Sequence, residues 1–247
     1  MSESLEQDTV IVTGASSGIG AATCHELAAA GANVVLAARS EEQLEAVADD
    51  LEADHDVETL VVPTDVRKED DVDALIEAAV DRFGGINVLV NNAGLARGSD
   101  VESLTTKEYE TMQETNVDGV FYATRAAIPH VRERDGHLIF VGSFAGQYPR
   151  PFNPVYAASK WWVRGFAKSV AAQVGDDGVG VTIVNPSEVR SQFGAAGGDP
   201  FVERFDEGEA TEPGEIAEAI RFAASRNGSS VTELDLYRRD KFADTFE

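Results

Sequence analysis

A phenol and an ammonium stand four residues apart in the run Tyr156-Ala-Ala-Ser-Lys160, and on a helix that spacing puts both on one face. A phenol ionises near pH ~10, so it exchanges protons at neutral pH only if something favours its ionised form, and a neighbouring cation does so. Alone, the pair also reads as a solvated helix face. Its setting adds weight. Ser143 ends an apolar run thirteen residues upstream of Tyr156, and a glycine-rich turn opens the chain.

That turn, Val10-Ile-Val-Thr-Gly-Ala-Ser-Ser-Gly-Ile-Gly20, leaves a β-branched run and enters a helical one, with glycines at 14, 18 and 20. Gly14 permits a tight turn, Gly18 lets backbone approach a pyrophosphate, and Gly20 allows close helix packing. The N–H groups at the helix start then face an anion. Dinucleotide binding is the reading; a plain structural turn is the alternative. The residue ending the second strand of such a unit discriminates between cofactors, and here the segment is Ala38-Arg39-Ser40. No carboxylate is present for two ribose hydroxyls, whereas Arg39 can fork onto a 2′-phosphate. NADP(H) is therefore expected over NAD(H), unless Arg39 is simply an exposed loop arginine.

These residues need a scaffold, and the chain alternates short β-branched runs with helical periodicity, the pattern of a parallel sheet covered on both faces. Strands are expected near Thr9–Thr13, Asn33–Ala37, Thr59–Pro63, Asn87–Val90, Gly136–Val141, Gly180–Val184 and Val231–Leu236. Helices are expected near Gly18–Ala30, Glu41–Asp54, Lys68–Phe83, Thr106–Arg134, Tyr156–Gly175 and Pro213–Ala224. Residues 187–211, rich in Gly, Ala and acidic side chains, read as a lid or substrate loop, or else as an inert excursion. With 247 residues and no linker or repeat, one domain over 1–247 is expected.

Composition bounds the partners. No apolar run is long enough to span a bilayer and the first residues show no secretory pattern, so a cytoplasmic protein is expected. The single cysteine, Cys24, reads as core filler, and the scattered histidines suggest no metal set. A net charge of −24 argues against nucleic acid. Only five lysines occur (Lys68, Lys107, Lys160, Lys168 and Lys241), and beside 44 acidic residues this resembles the surface of proteins from salt-loving organisms.

Six motifs in order resemble the short-chain dehydrogenase/reductase family from Thr9 to about Leu236. They are Thr13-Gly-Ala-Ser-Ser-Gly-Ile-Gly20, Asp65-Val66, Asn91-Asn-Ala-Gly94, Asn116, Ser143 and Tyr156-x-x-x-Lys160. The resemblance implies a single-domain α/β Rossmann fold, a doubly wound seven-stranded parallel sheet with helices on both faces. It also implies the catalytic set Asn116, Ser143, Tyr156 and Lys160. Cofactor contacts carried over are Gly14, Ser16, Ser17, Gly18, Ile19 and Gly20 at the phosphates, and Arg39 and Ser40 at the adenosine ribose. Asp65 and Val66 would meet the adenine, Asn91, Ala93 and Gly94 the other ribose, with Tyr156 and Lys160. Pro186, Val189 and Ser191 would lie at the nicotinamide. One departure stands out: Ser187 follows Pro186 where the family usually has Gly, a substitution that strains the backbone if φ is positive there.

Hydride reduction of a ketone puts negative charge on oxygen, which needs a hydrogen-bond donor and then a proton. Ser143 and Tyr156 would supply these, with Lys160 lowering the phenol's pKa and Asn116 leading a water-linked proton path to Lys160. The likeness is greatest to the NADP-dependent branch acting on short 3-hydroxy acids. A 3-oxoacyl-thioester reductase is the alternative, and a non-catalytic NADPH sensor the alternative of another class. Pocket candidates are Phe144, Gln147, Tyr148, Arg150, Phe152 and Phe193, with Arg150 read either as a partner for a substrate carboxylate or as an exposed structural arginine. Trp161 and Trp162 read as packing between subunits of a homodimer or homotetramer, and about 237–247 as a short C-terminal extension.

Overall fold

Thr9-Val-Ile-Val-Thr13 is buried along its whole length, as a strand covered on both faces must be, and it forms β1 (Thr9–Thr13) at the heart of a seven-stranded sheet. The computed structural model describes residues 5–98, 100–194 and 199–242. The other strands are β2 (Asn33–Ala38), β3 (Thr59–Pro63), β4 (Val88–Asn91), β5 (His137–Val141), β6 (Gly180–Pro186) and β7 (Glu233–Leu236). All pair in parallel in the order β3-β2-β1-β4-β5-β6-β7. The order reverses between β1 and β4, where Val10 lies beside Val34 on one side and Val88 on the other. A crevice opens at the carboxyl ends of strands at such a switch point.

The period-2 alternation of each strand divides the core into two layers. Val10, Val12 and Leu36 pack beneath α1 (Gly18–Ala29), α2 (Glu41–Asp54) and α8 (Pro213–Ala224), against Leu27, Leu44 and Ile216. Ile11, Val35 and Phe140 face α3 (Glu69–Phe83), α5 (Gly119–Arg132) and α6 (Pro154–Val174), against Leu75, Ala127 and Val163. Cys24 is fully buried in the first layer, and burial pushes its thiol well above the usual range. No helix among the described residues is long and apolar enough to cross a membrane.

Two elements differ from the sequence-based expectation. The single helix expected over Thr106–Arg134 is α4 (Thr106–Gln113), a π-helical turn at Glu114–Asp118 and then α5, so Asn116 sits in the widened turn. The stretch 187–211 is partly ordered: Val189 bridges Thr211, and Phe201–Arg204 form the short helix α7. Residues 195–198 of that stretch and 243–247 of the C-terminal extension lie outside the described residues.

Candidate active site

The turn after β1 fits an anion. Gly14 and Gly18 take φ of +69° and +55°, which side chains with a Cβ rarely adopt. A Cβ on Gly20 would lie 2.1 Å from the Gly14 carbonyl oxygen, so the turn folds tightly only with glycine there. Ser17 takes the N-cap position of α1 without a side-chain hydrogen bond, and no acidic residue occupies the first turn, leaving the helix start open to a negative ligand. The turn is also fixed to the next strand across the switch point. Asn92 Nδ2 donates to the Thr13 and Gly14 carbonyls (2.9 and 3.3 Å), and Thr13 Oγ1 accepts from the Asn92 and Ala93 amides (both 3.0 Å).

A cavity of about 900 Å³ runs over the carboxyl ends of the strands. Of the expected cofactor contacts, Gly14, Ser16, Ser17, Gly18, Ile19, Arg39, Ser40, Asp65, Val66, Ala93, Gly94, Pro186, Val189 and Ser191 line it. Gly20 and Asn91 do not. Gly20 packs behind the turn, and the buried Asn91 amide donates to Thr124 Oγ1 (3.1 Å) on α5, so its neighbour Asn92 takes the lining position. Asp65 faces the cavity as the partner of Arg67 (2.5 Å), whose hydrogen bond holds its carboxyl below the usual range.

Ser143, Tyr156 and Lys160 line the same cavity. Ser143 follows β5 and opens the turn Phe144–Gly146; its Oγ accepts from the Ala145 amide (3.1 Å) and its own amide donates to Asn185 Oδ1 (3.3 Å). Asn185 in turn donates to Glu233 and Asp235 of β7 (2.8 and 2.9 Å), and Arg164 holds Glu233 at a pKa of about 2. Ser143 is thus positioned through the sheet edge. Tyr156 and Lys160 come from successive turns of α6, both buried (5% and 6% exposed). The N-cap of α6 is Asn153 at φ +147°, whose Oδ1 accepts from the Tyr156 amide (3.2 Å) while its Nδ2 donates to the Arg97 and Gly98 carbonyls (3.2 and 3.3 Å). One buried amide therefore holds both the tyrosine and the opposite wall.

Burial pushes the Tyr156 phenol up, opposed by the Ser143 hydroxyl hydrogen-bonded to it and by the Arg150 guanidinium. Burial lowers the Lys160 ammonium to about 8. Lys160 Nζ donates to the Val141 carbonyl (2.8 Å) and lies 6.0 Å from the centre of the tyrosine ring. The Arg150 guanidinium, which the sequence did not point to for this role, is thus one of the two groups that oppose the rise.

Asn116 takes a structural position rather than a wall position. Its Oδ1 accepts from the Leu95 amide and its Nδ2 donates to the Leu95 carbonyl (both 2.9 Å) and to Ser159 Oγ (3.1 Å), tying the segment after β4 to α6. Gly94 separates it from the lysine: a Cβ there would lie 3.4 Å from Asn116 Oδ1 and 3.5 Å from Lys160 Nζ. Ser187 has no positive φ, so the departure from Pro-Gly brings no backbone strain; its Oγ accepts from the Arg238 amide (3.0 Å). Phe144, Arg150, Phe152 and Phe193 line the far end of the cavity, and the Phe193 ring lies 5.8 Å from that of Tyr156. Gln147 and Tyr148 do not: Gln147 bonds to Glu233 and Asp235, and Tyr148 stacks on Phe144. Sequence reading missed Asn92, Asn153 and Asn185, since each acts through a partner more than forty residues away.

The chain matches the family described as "short chain dehydrogenase" over residues 8–198. An uncharacterised oxidoreductase of Staphylococcus aureus (strain USA300) is 34% identical over 223 residues, 90% of this chain and 93% of the relative. Among solved structures, an alcohol dehydrogenase from the archaeon Thermococcus sibiricus complexed with 5-hydroxy-NADP superposes with a TM-score of 0.87 at 28% identity, covering 94% of this chain and 97% of that one. A 3-ketoacyl-(acyl-carrier-protein) reductase from Brucella melitensis complexed with NADH gives 0.84 at 32% identity, with the same coverage.

Proposed function

Because the chain belongs to the short-chain dehydrogenase family and is an oxidoreductase of it, we propose that it uses NADP(H) to interconvert carbonyl and hydroxyl on a small substrate: a short 3-hydroxy acid, alcohol or ketone. The observation that carries this reading is that Ser143, Tyr156 and Lys160 line one cavity with the Gly14–Gly18 turn and Arg39. Arg39 and Ser40, with no carboxylate at the end of β2, support the preference for a 2′-phosphate. The two solved relatives were complexed with cofactors of both kinds, so the preference rests on Arg39 itself.

When bound, the nicotinamide supplies or accepts the hydride. The protein's part is to hold the carbonyl oxygen and move one proton. Ser143 and Tyr156 donate to that oxygen. The phenol, its pKa raised by burial, keeps its proton until a stronger base, the nascent alkoxide, takes it. The phenolate left behind is stabilised by the Ser143 hydroxyl and the Arg150 charge. Lys160 in its charged form would hold the cofactor ribose and add to that field, and Asn116 fixes the wall that Leu95 carries into the cavity.

A 3-oxoacyl-thioester reductase is the second reading, drawn from the likeness to the Brucella protein. Against it stands the tail after β7, which reads Tyr237-Arg-Arg-Asp where reductases of that kind usually carry Gly-Gly. We also read the protein as cytoplasmic, salt-adapted, and a homodimer or homotetramer built on α5 and α6. Exposed Phe121 (37%) and Trp161 (47%) on those helices support the last. An NADPH-oxidation screen over 3-oxo acids, acyl thioesters, aldoses and simple ketones, in dilute buffer and in molar KCl, tests the assignment. Tyr156→Phe should lower kcat by about 1,000-fold with NADPH affinity kept within about threefold; a variant that still turns over removes the tyrosine from the mechanism.

A further inference from the structure

The cavity inverts the charge of the protein. Acidic residues outnumber basic ones 44 to 20 in the chain, yet among the described residues lining the cavity six are basic (Arg39, Arg67, Arg97, Arg150, Lys160 and Lys241) and two acidic, Asp65 and Glu188. Both acids are neutralised locally, Asp65 by Arg67 and Glu188 by Lys241 (each 2.5 Å). Arg39 stands at the adenosine end, where a cofactor phosphate accounts for it. Arg150 stands beside Tyr156 and Phe152, at the substrate-reducing part of the proposed site, where no cofactor phosphate is expected.

Its guanidinium carbon lies 4.4 Å from the centre of the Phe152 ring and 5.6 Å from that of Tyr156. It makes no ion pair among the described residues, and its Nε is buried without a hydrogen-bond partner. A buried guanidinium donor without a partner costs stability, so it is retained where a ligand completes it. From this placement we infer that Arg150 is the specificity-determining residue for an anionic substrate, forking onto a carboxylate while the reacting carbonyl lies at Tyr156. With the guanidinium carbon 5.6 Å from the phenol ring centre, the two groups are close enough for a short acid to reach both, its carboxylate a few carbon–carbon bonds (~1.5 Å each) from its carbonyl. A 3-oxo or 4-oxo acid meets that measure, and its ester or amide offers the same carbonyl without the charge.

This inference rests on the reductase assignment, and its test separates the two. Acetoacetate and methyl acetoacetate are offered with NADPH at fixed KCl to the unmodified enzyme, to Arg150→Met and to Arg150→Lys. The acid-to-ester ratio of kcat/KM should fall about 30-fold in Arg150→Met and less in Arg150→Lys, which keeps charge but loses the fork. Effects on the phenol are common to both substrates and cancel in the ratio. In the unmodified enzyme, malonate should compete with the ester at least tenfold better than malonamide, a measurement independent of how the variants fold. If the ester is reduced but the ratio is unchanged in both variants, or malonamide competes as well as malonate, the anion site is refuted and the reductase stands. If neither substrate nor any other carbonyl is reduced, the reductase assignment fails and the anion site falls with it.

Discussion

Lys160 provides a titration whose two consequences have opposite signs. The ammonium is 6% exposed and, among the described residues, donates to the Val141 carbonyl and has no carboxylate in ion-pair reach. Burial accordingly lowers its pKa from 10.5 to about 8. At pH 7 about 90% of the free protein carries the charge and at pH 9 about 10%. If the charged form binds the dinucleotide, the apparent Kd for NADPH rises about tenfold between those pH values. Stability runs the other way. Between pH 8 and 10.5 the unfolded chain holds a proton on this lysine that the folded protein has released, so stability rises with pH through that window, by up to about 3 kcal/mol. Titration of the protein with NADPH from pH 7 to 9, followed by cofactor fluorescence, reads the first effect; urea unfolding of the ligand-free protein against Lys160→Met reads the second. A Kd constant within twofold from pH 7 to 9, or a pH slope that survives in Lys160→Met, would refute the reasoning.

Three further outcomes are expected. Arg39→Asp should weaken NADPH by about 10- to 100-fold, the worth of a charge-assisted fork, with NADH affected far less; equal losses would remove Arg39 from cofactor choice. Asn153→Ala loses the α6 cap while keeping a Cβ at φ +147°, so it should lower stability by about 1 to 2 kcal/mol, whereas Asn153→Gly loses the same cap but relieves the backbone and should lose less. Thermal unfolding of both variants checks that order. With a net charge of −24, self-repulsion is large in dilute buffer, and the melting temperature should climb by roughly 10 °C or more on going to 2 M KCl; an unchanged value would end the salt-adaptation reading.

The parts of the fold legible in the sequence are those governed by local rules. β1 and β3 begin and end where the β-branched runs do, and the glycines of the first turn mark positive φ at 14 and 18. The π-helical turn at Glu114–Asp118 was hidden because its extra residue leaves no trace in hydrophobic period or propensity. Only the place of an asparagine in a helix interior hinted at it. Asn91 and Asn92 are one residue type, and which of them faces the cleft depends on the strand register at β4, where Asn91 pairs with Phe140. That Ser143, Tyr156 and Lys160 belong together was legible as a set of types, but the state of the lysine was not. Its charge is decided by burial beneath Gly94 and against Val141, tertiary facts that a four-residue spacing does not contain. Likewise the strain feared at Ser187 depended on one dihedral angle, and the backbone there took an ordinary one.

The lock between Thr13, Gly14, Asn92 and Ala93 bears on how a dinucleotide enters. It fastens the turn after β1 to the segment that carries Gly94, so the fold sets these two parts of the cleft lining relative to each other. The entropy of arranging them is spent when the chain folds, and none is left to be lost at docking. Such a cleft is preorganised: it offers a dinucleotide one fixed span between its ends, and a ligand too short or too long for that span gains only half the contacts.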